Sequence, residues 1–194
     1  MFEKIRKMKN QKGFTLVELI VVLVILAILA ALLVPALTGY IDKANKEKVI
    51  ATTRMVVMAA QTEASEKYGL KASGELSADI KLSMTENGNT VTCSPAANAT
   101  TGTAAGEKDG INIGNIAILA EVAKDTSNNA TPVYKFVNGV TEITVEVDTK
   151  GHVTAATVTQ SGFTCTYKAT PDTGKDKYEV KTATANAGGG TTGG

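Results

Sequence analysis

The chain has 194 residues, with 20 Lys and Arg against 19 Asp and Glu, one His, two Cys and no Trp. That length, with an apolar stretch near the start and a Thr-, Ala- and Gly-rich remainder, leaves room for one modest globular domain and excludes two. The near-neutral balance gives no support for strong nucleic-acid binding, and a single His without a close Cys pair cannot build a zinc site.

The neutral total hides an asymmetry. Residues 1–13 hold Lys4, Arg6, Lys7, Lys9 and Lys12 against Glu3, a balance of +4, which leaves −3 on the rest of the chain. The segment that follows, GFTLVELIVVLVILAILAALLVPALTGYI over residues 13–41, carries one charged residue, Glu18. From Leu19 to Ile41 no side chain is charged; about 23 residues at 1.5 Å rise cover roughly 34 Å, enough for a bilayer core of about 30 Å. A basic flank on one side of an apolar span keeps that flank in the cytoplasm and carries the C-terminal part outward.

Three readings fit this layout. A secretory signal with Val34-Pro35-Ala36 as cleavage site asks for an apolar region of about 7–15 residues, shorter than the one present. It also puts a carboxylate where an ionised group costs on the order of 3 kcal/mol. A plain signal anchor carrying an extracellular domain explains the span but gives Glu18 and the Gly13-Phe14 junction no task. The third reading uses all of these features.

Gly13-Phe14-Thr15-Leu16-Val17-Glu18, after a short basic leader and before an uninterrupted apolar run, resembles the class III signal of type IV pilins and the related pseudopilins. The resemblance covers about residues 1–45 and includes Pro35, where that family often has a helix-breaking proline. It implies cleavage between Gly13 and Phe14 by a prepilin peptidase, N-methylation of Phe14, and polymerisation by the pilus assembly machinery. It also implies partial unwinding of the helix between about Ala27 and Pro35 in the fibre.

Physical chemistry supports a role for Glu18 beside that resemblance. An isolated carboxylate in a bundle of apolar helices is expensive, and a nearby α-amino cation would keep it charged and hold the helices in one register. Cleavage after Gly13 would create that cation on Phe14, so Glu18 is expected to pair with the Phe14 amine of a neighbouring subunit. The alternative is that Glu18 merely marks the membrane interface. Pro35 removes a helix hydrogen bond, at about 3 kcal/mol, and Gly39 adds a second weak point, so a helix break is expected at Pro35 and Gly39.

Past the membrane span, residues 42–68 contain neither Gly nor Pro, and Val49, Val56, Ala60, Ala64 and Tyr68 fall on one helical face. This predicts an amphipathic continuation over 42–69 with Gly69 as C-cap and with Met55 and Met58 in the core. Residues 70–110 are rich in small polar types and read as a surface connection with one short β-like piece, Thr90 to Cys93. The resemblance makes this segment the variable outer face of the fibre.

Ile111 to Lys124 reads as a short helix with Ile113, Ile116, Ala117, Leu119, Ala120 and Ala123 on its apolar face. Strands are predicted at Val133 to Val137 and Val140 to Asp148, paired through the tight turn Asn138-Gly139. Further strands follow at His152 to Gln160, Gly162 to Lys168 and Lys177 to Thr182, an antiparallel sheet of four or five strands within 132–182. The tail, 183–194, has nothing to bury.

Catalytic chemistry is not indicated. His152 beside a turn reads as exposed, and Asp172 and Asp176 lack the spacing of a calcium loop, although some pseudopilins hold calcium in a late loop. Asn98-Ala99-Thr100 and Asn129-Ala130-Thr131 are weak glycosylation sequons. An even thiol count in an exported domain points to a Cys93–Cys165 disulfide, worth roughly 4 kcal/mol for a loop of about 70 residues; two free thiols are the alternative.

The expected fold is therefore α+β, a pilin fold with a long N-terminal helix whose second half packs on a C-terminal antiparallel sheet. The expected function is a non-enzymatic subunit of a type IV pilus, without cofactor or metal. It starts as a single-pass precursor in the cytoplasmic membrane, N-terminus inside, and ends in a homopolymeric surface filament for adhesion, motility or aggregation. Its partners are the prepilin peptidase, the assembly machinery, identical subunits and, before assembly, the lipid bilayer. The alternatives are the major pseudopilin of a type II secretion or DNA-uptake system, and a signal-anchored extracellular domain.

Overall fold

Helix α1, Leu16–Leu70, is 55 residues long and is the one element present in both of the units, Met1–Lys43 and Ala44–Gly194, into which the chain divides. The computed structural model describes residues 14–71, 76, 79–87, 90–94, 107–127 and 133–183. The basic leader with Gly13, both sequons and the tail from residue 184 lie outside them.

In the first unit α1 runs on past the positions where the sequence leads one to expect a break. Pro35 sits inside α1, which is continuous through Pro35 and Gly39, and the Thr38 hydroxyl donates to the Pro35 carbonyl at 2.9 Å. Proline deletes a single donor, and a long helix that satisfies its other backbone groups internally tolerates that loss.

In the second unit one face of α1 is buried: Val49, Thr52, Thr53, Val56, Ala59, Ala60, Glu63 and Ala64, with Tyr68 half-buried. The offsets of three and four are those of one helical stripe. Met55 and Met58 fall outside this stripe and are 44% and 70% exposed, which corrects their expected place in the core. Gly69 is helical and caps nothing, since α1 continues through Leu70.

The sheet that α1 packs on has six antiparallel strands in the order β10-β9-β8-β7-β1-β2. They are β1 Ile80–Asn87, β2 Thr90–Ser94, β7 Val140–Val147, β8 Val153–Gln160, β9 Phe163–Lys168 and β10 Tyr178–Thr182. Two of them, β1 and β2, arise from the segment expected to be a surface connection, and β1 is interior to the sheet, between β2 and β7. Its alternation accounts for this: Ile80, Leu82 and Met84 are buried against the helix while Lys81 is exposed. On the opposite face, the register puts Ser83, Thr144, Thr157 and Thr166 in one row, a solvated surface built from a good strand former.

Between β2 and β7 the chain forms β3 Glu107–Lys108, β4 Ile111–Asn112, α2 Ile113–Leu119, β5 Ala123–Asp125 and β6 Tyr134–Phe136. Helix α2 is shorter than the 111–124 expected because both of its ends are capped. The Asn112 side-chain oxygen accepts the N–H groups of Gly114 (2.7 Å) and Asn115 (3.3 Å) at the start. At the end Glu121 is left-handed (φ 56°), its N–H bonds the Ile118 carbonyl at 3.0 Å, and the Val122 N–H reaches the Ala117 carbonyl at 2.9 Å. That is the Schellman pattern, with Glu where Gly is usual. Gly114 packs under the Tyr134 ring, where a Cβ would lie 2.1 Å from ring atoms.

Asn138-Gly139 does turn the chain, with φ 59° and 78°, but β6 and β7 do not pair through it. Strand β6 pairs with β5 instead, so the turn hands the chain from a small ribbon to the main sheet.

Cys93 and Cys165 are free thiols, one on β2 and the other on β9 of the main sheet. Strands β1, β7 and β8 stand between those two, which at ~4.8 Å per step is roughly 19 Å, far beyond the ~7 Å Cα limit of a disulfide. The expected bridge is therefore corrected to two separate thiols.

Candidate functional site

The segment to which the sequence assigns processing and assembly begins, in the described residues, at Phe14, which is 82% exposed. Thr15 is the N-cap of α1. Its hydroxyl oxygen accepts the Glu18 N–H at 3.2 Å, and its carbonyl accepts the Leu19 N–H at 3.2 Å. Thr15-Leu16-Val17-Glu18 thus has the spacing of a capping box, and Glu18 is the acidic residue of the first turn, where a carboxylate favours the positive end of the helix dipole. The sequence readings of Glu18, pairing with a neighbouring subunit or marking the membrane interface, leave out this local task, although the Thr-x-x-Glu signal stands in the motif itself. Among the described residues the Glu18 carboxylate meets no hydrogen-bond or ion-pair partner.

From Leu16 to Ile41 every described side chain is exposed. In the most apolar 18-residue window of α1 none is buried inside the chain. Such a surface does not persist in water; it requires lipid or other protein. By length and composition this helix can cross a membrane.

The other sequence-selected residues are scattered over the second unit and form no site with one another. His152 is exposed, its ring 3.3 Å from the Asp148 carboxylate at the β7–β8 turn. Desolvation pulls the Asp148 carboxyl upward, but the N–H groups of His152 and Lys150 and the His152 ring outweigh it and hold its pKa below the usual value. Asp172 pairs with Lys168 at 3.5 Å, and among the described residues no group of three or more His, Cys, Asp or Glu is placed to hold a metal ion. Burial raises the pKa of both thiols; for Cys165, Thr53 and Arg54 oppose the rise.

Residues 8–34 match the family model described as the prokaryotic N-terminal methylation motif. No curated protein and no solved structure matches the chain.

Proposed function

We propose, from the premise that this chain is a type IV pilin-like prepilin with a class III signal peptide, that it is a structural subunit of a surface type IV pilus. The motif is that of structural, pilin-type prepilins, and with the apolar helix it marks a membrane-anchored precursor. In this reading a prepilin peptidase cuts between Gly13 and Phe14, Phe14 is N-methylated, and Phe14 to about Pro35 polymerises with the same segment of other copies. The Phe14 amine freed by cleavage meets Glu18 of a neighbouring subunit and sets the axial register.

The observation that carries this is the helix surface itself. An apolar span with no residue buried in its own chain and a single carboxylate near its start is accommodated in a bilayer, and among identical helices once that carboxylate is paired. A subunit that leaves the membrane must exchange lipid for other protein, and in this reading that protein is its own kind.

The test is the N-terminal residue and intact mass of the protein in material sheared from the cell surface. The expected result is a chain starting at N-methylated Phe14 in filaments. A chain starting at Leu37 would mean an ordinary secreted domain, and an uncut chain confined to the membrane would mean an anchored one; either outcome overturns the proposal.

A further inference from the structure

Among the described residues, two apolar features stand uncovered. One is the N-terminal part of α1, whose large apolar side chains between Leu16 and Ile41 are 49–74% exposed. Their area is on the order of 2,000 Å², several times the roughly 300–600 Å² of the largest patch on a typical monomer and the size of an obligate interface. The second lies wholly within the other unit. It is a hollow of about 370 Å³ lined mainly by Met55, Met58 and Thr62 of α1 and by Leu119 and Ala120 at the end of α2.

Met58 is 70% exposed, Leu119 56% and Met55 44%, and Ile118 adjoins them at 43%. Exposed methionines are unbranched and polarisable, suited to accept apolar side chains of varied shape. Among the described residues lining the hollow one is charged, Glu121, the left-handed residue that ends α2.

We infer that this hollow is a docking site for a second copy of the chain, receiving apolar side chains from that copy's segment 14–41. The inference rests on the filament reading and deepens it by naming a receiving surface. Two observations support this occupant. Area comes first: the segment requires cover on the scale of an obligate interface, and an apolar hollow on the next copy supplies part of it. Charge comes second, because Leu19 to Ile41 contains no charged side chain and so brings no ion against an apolar lining with one carboxylate. The segment and the hollow are different surfaces, so their contact is heterologous and, repeated, generates an open helical array instead of a closed dimer.

The test is made in the full chain, produced with its own assembly machinery, carrying the photo-cross-linker p-benzoylphenylalanine in place of Met58. Irradiated filaments are expected to yield cross-linked dimers whose adduct maps to a peptide within 14–41. Filaments that form normally but give no dimer, or give adducts only to residues 44–183 or to lipid, overturn the docking site and leave the filament reading standing. A wild-type chain that forms no filament overturns both. In parallel, Met58→Lys is expected to keep processing at Gly13 and the melting of the head unchanged while filament yield falls at least tenfold, with Met58→Leu near wild type. Wild-type yield from Met58→Lys would overturn the inference.

Discussion

The side-chain amide of Gln61 grips the turn at Gly151: Nε2 donates to the Gly151 carbonyl at 2.8 Å while Oε1 accepts the Val153 N–H at 3.0 Å. One flat amide on α1 thus satisfies two backbone groups at the β7–β8 connection. Gly151 is left-handed (φ 77°), and a Cβ there would stand 3.0 Å from Tyr68 Cβ, so the turn and the helix are fitted at both points. At the opposite end of β8, the Thr52 hydroxyl donates to Gln160 Oε1 at 2.8 Å and Gln160 Nε2 donates to the Asn138 carbonyl at 3.0 Å. Arg54 lies over the Tyr178 ring, 5.1 Å from its centroid. Helix and sheet are held in register by polar contacts set around an apolar core.

Gln61→Ala is expected to lower the stability of the head by about 2–3 kcal/mol, because it strands a carbonyl and an N–H in a part-buried site. Gly151→Ala should cost a similar amount, about 1–3 kcal/mol, through backbone strain. Denaturant unfolding of the detergent-solubilised chain checks both, and a loss under about 0.5 kcal/mol in Gln61→Ala, the range of a plain surface change, would contradict the clamp.

Glu121→Gly is expected to stabilise the chain. Glu121 occupies the left-handed C′ position of α2, and relief of roughly 1–2 kcal/mol of strain, partly offset by the freedom of glycine in the unfolded chain, leaves a gain of about 0.5–1 kcal/mol. The same unfolding measurement reads it, and a loss of stability would mean that the Glu121 side chain contributes more than its backbone strain takes away.

The two thiols are expected to be reduced. Intact mass should be the same with and without reductant, and alkylation of the unfolded protein without prior reduction should modify both Cys93 and Cys165. In the folded protein Cys165, which is buried and has a raised pKa, should react slowly at neutral pH. A mass lower by two hydrogen atoms before reduction would show a bridge that the sheet order does not allow.

Acid should weaken the β7–β8 turn. The folded pKa of Asp148 is depressed below an unfolded value of about 3.9, so its contribution is present above that pH and is lost as pH falls through the folded value. Asp125 acts in the same direction, its carboxyl lowered by hydrogen bonds from Ser127 and, after desolvation is counted against it, from the Val133 N–H. Melting temperature measured from pH 6 downward should therefore fall below about pH 4, and Asp148→Asn should flatten that fall. An unchanged profile in the variant would remove Asp148 from the account.

Glu18→Gln separates the two tasks of that residue. Glutamine also serves at the N3 position of a capping box, so helix content and processing should match wild type. The charge that would meet the Phe14 amine of a neighbour is gone, so filament yield should fall severalfold. Thr15→Ala should do the reverse, loosening the first turn by about 1 kcal/mol, read as faster amide exchange at Leu16 to Leu19, while filaments still form. Normal assembly of Glu18→Gln would leave Glu18 with its capping task alone.

What the sequence determined by itself is local or one-dimensional. The basic leader, the Gly13-Phe14 junction, Glu18 and the apolar run are contiguous in the chain, so they are legible without a fold. The buried stripe from Val49 to Ala64 follows from helical period alone. Even β1 is legible in the alternation of Ile80, Leu82 and Met84, although the polar, Gly-containing residues on either side of it read as connection.

Only the tertiary structure decided the remainder. Strand β6 chose β5 over β7 although Asn138-Gly139 turned the chain as expected, because pairing depends on which backbone edge lies near, and no turn specifies that. Sheet order separated Cys93 from Cys165 by three strands, a distance that thiol counting contains no information about. Met55 and Met58 were left on the surface because α1 offers the sheet a single stripe and α2 ends beside them without covering them. Each of these outcomes is set by contacts between residues far apart in the chain, whose geometry exists only after the helix and sheet have packed.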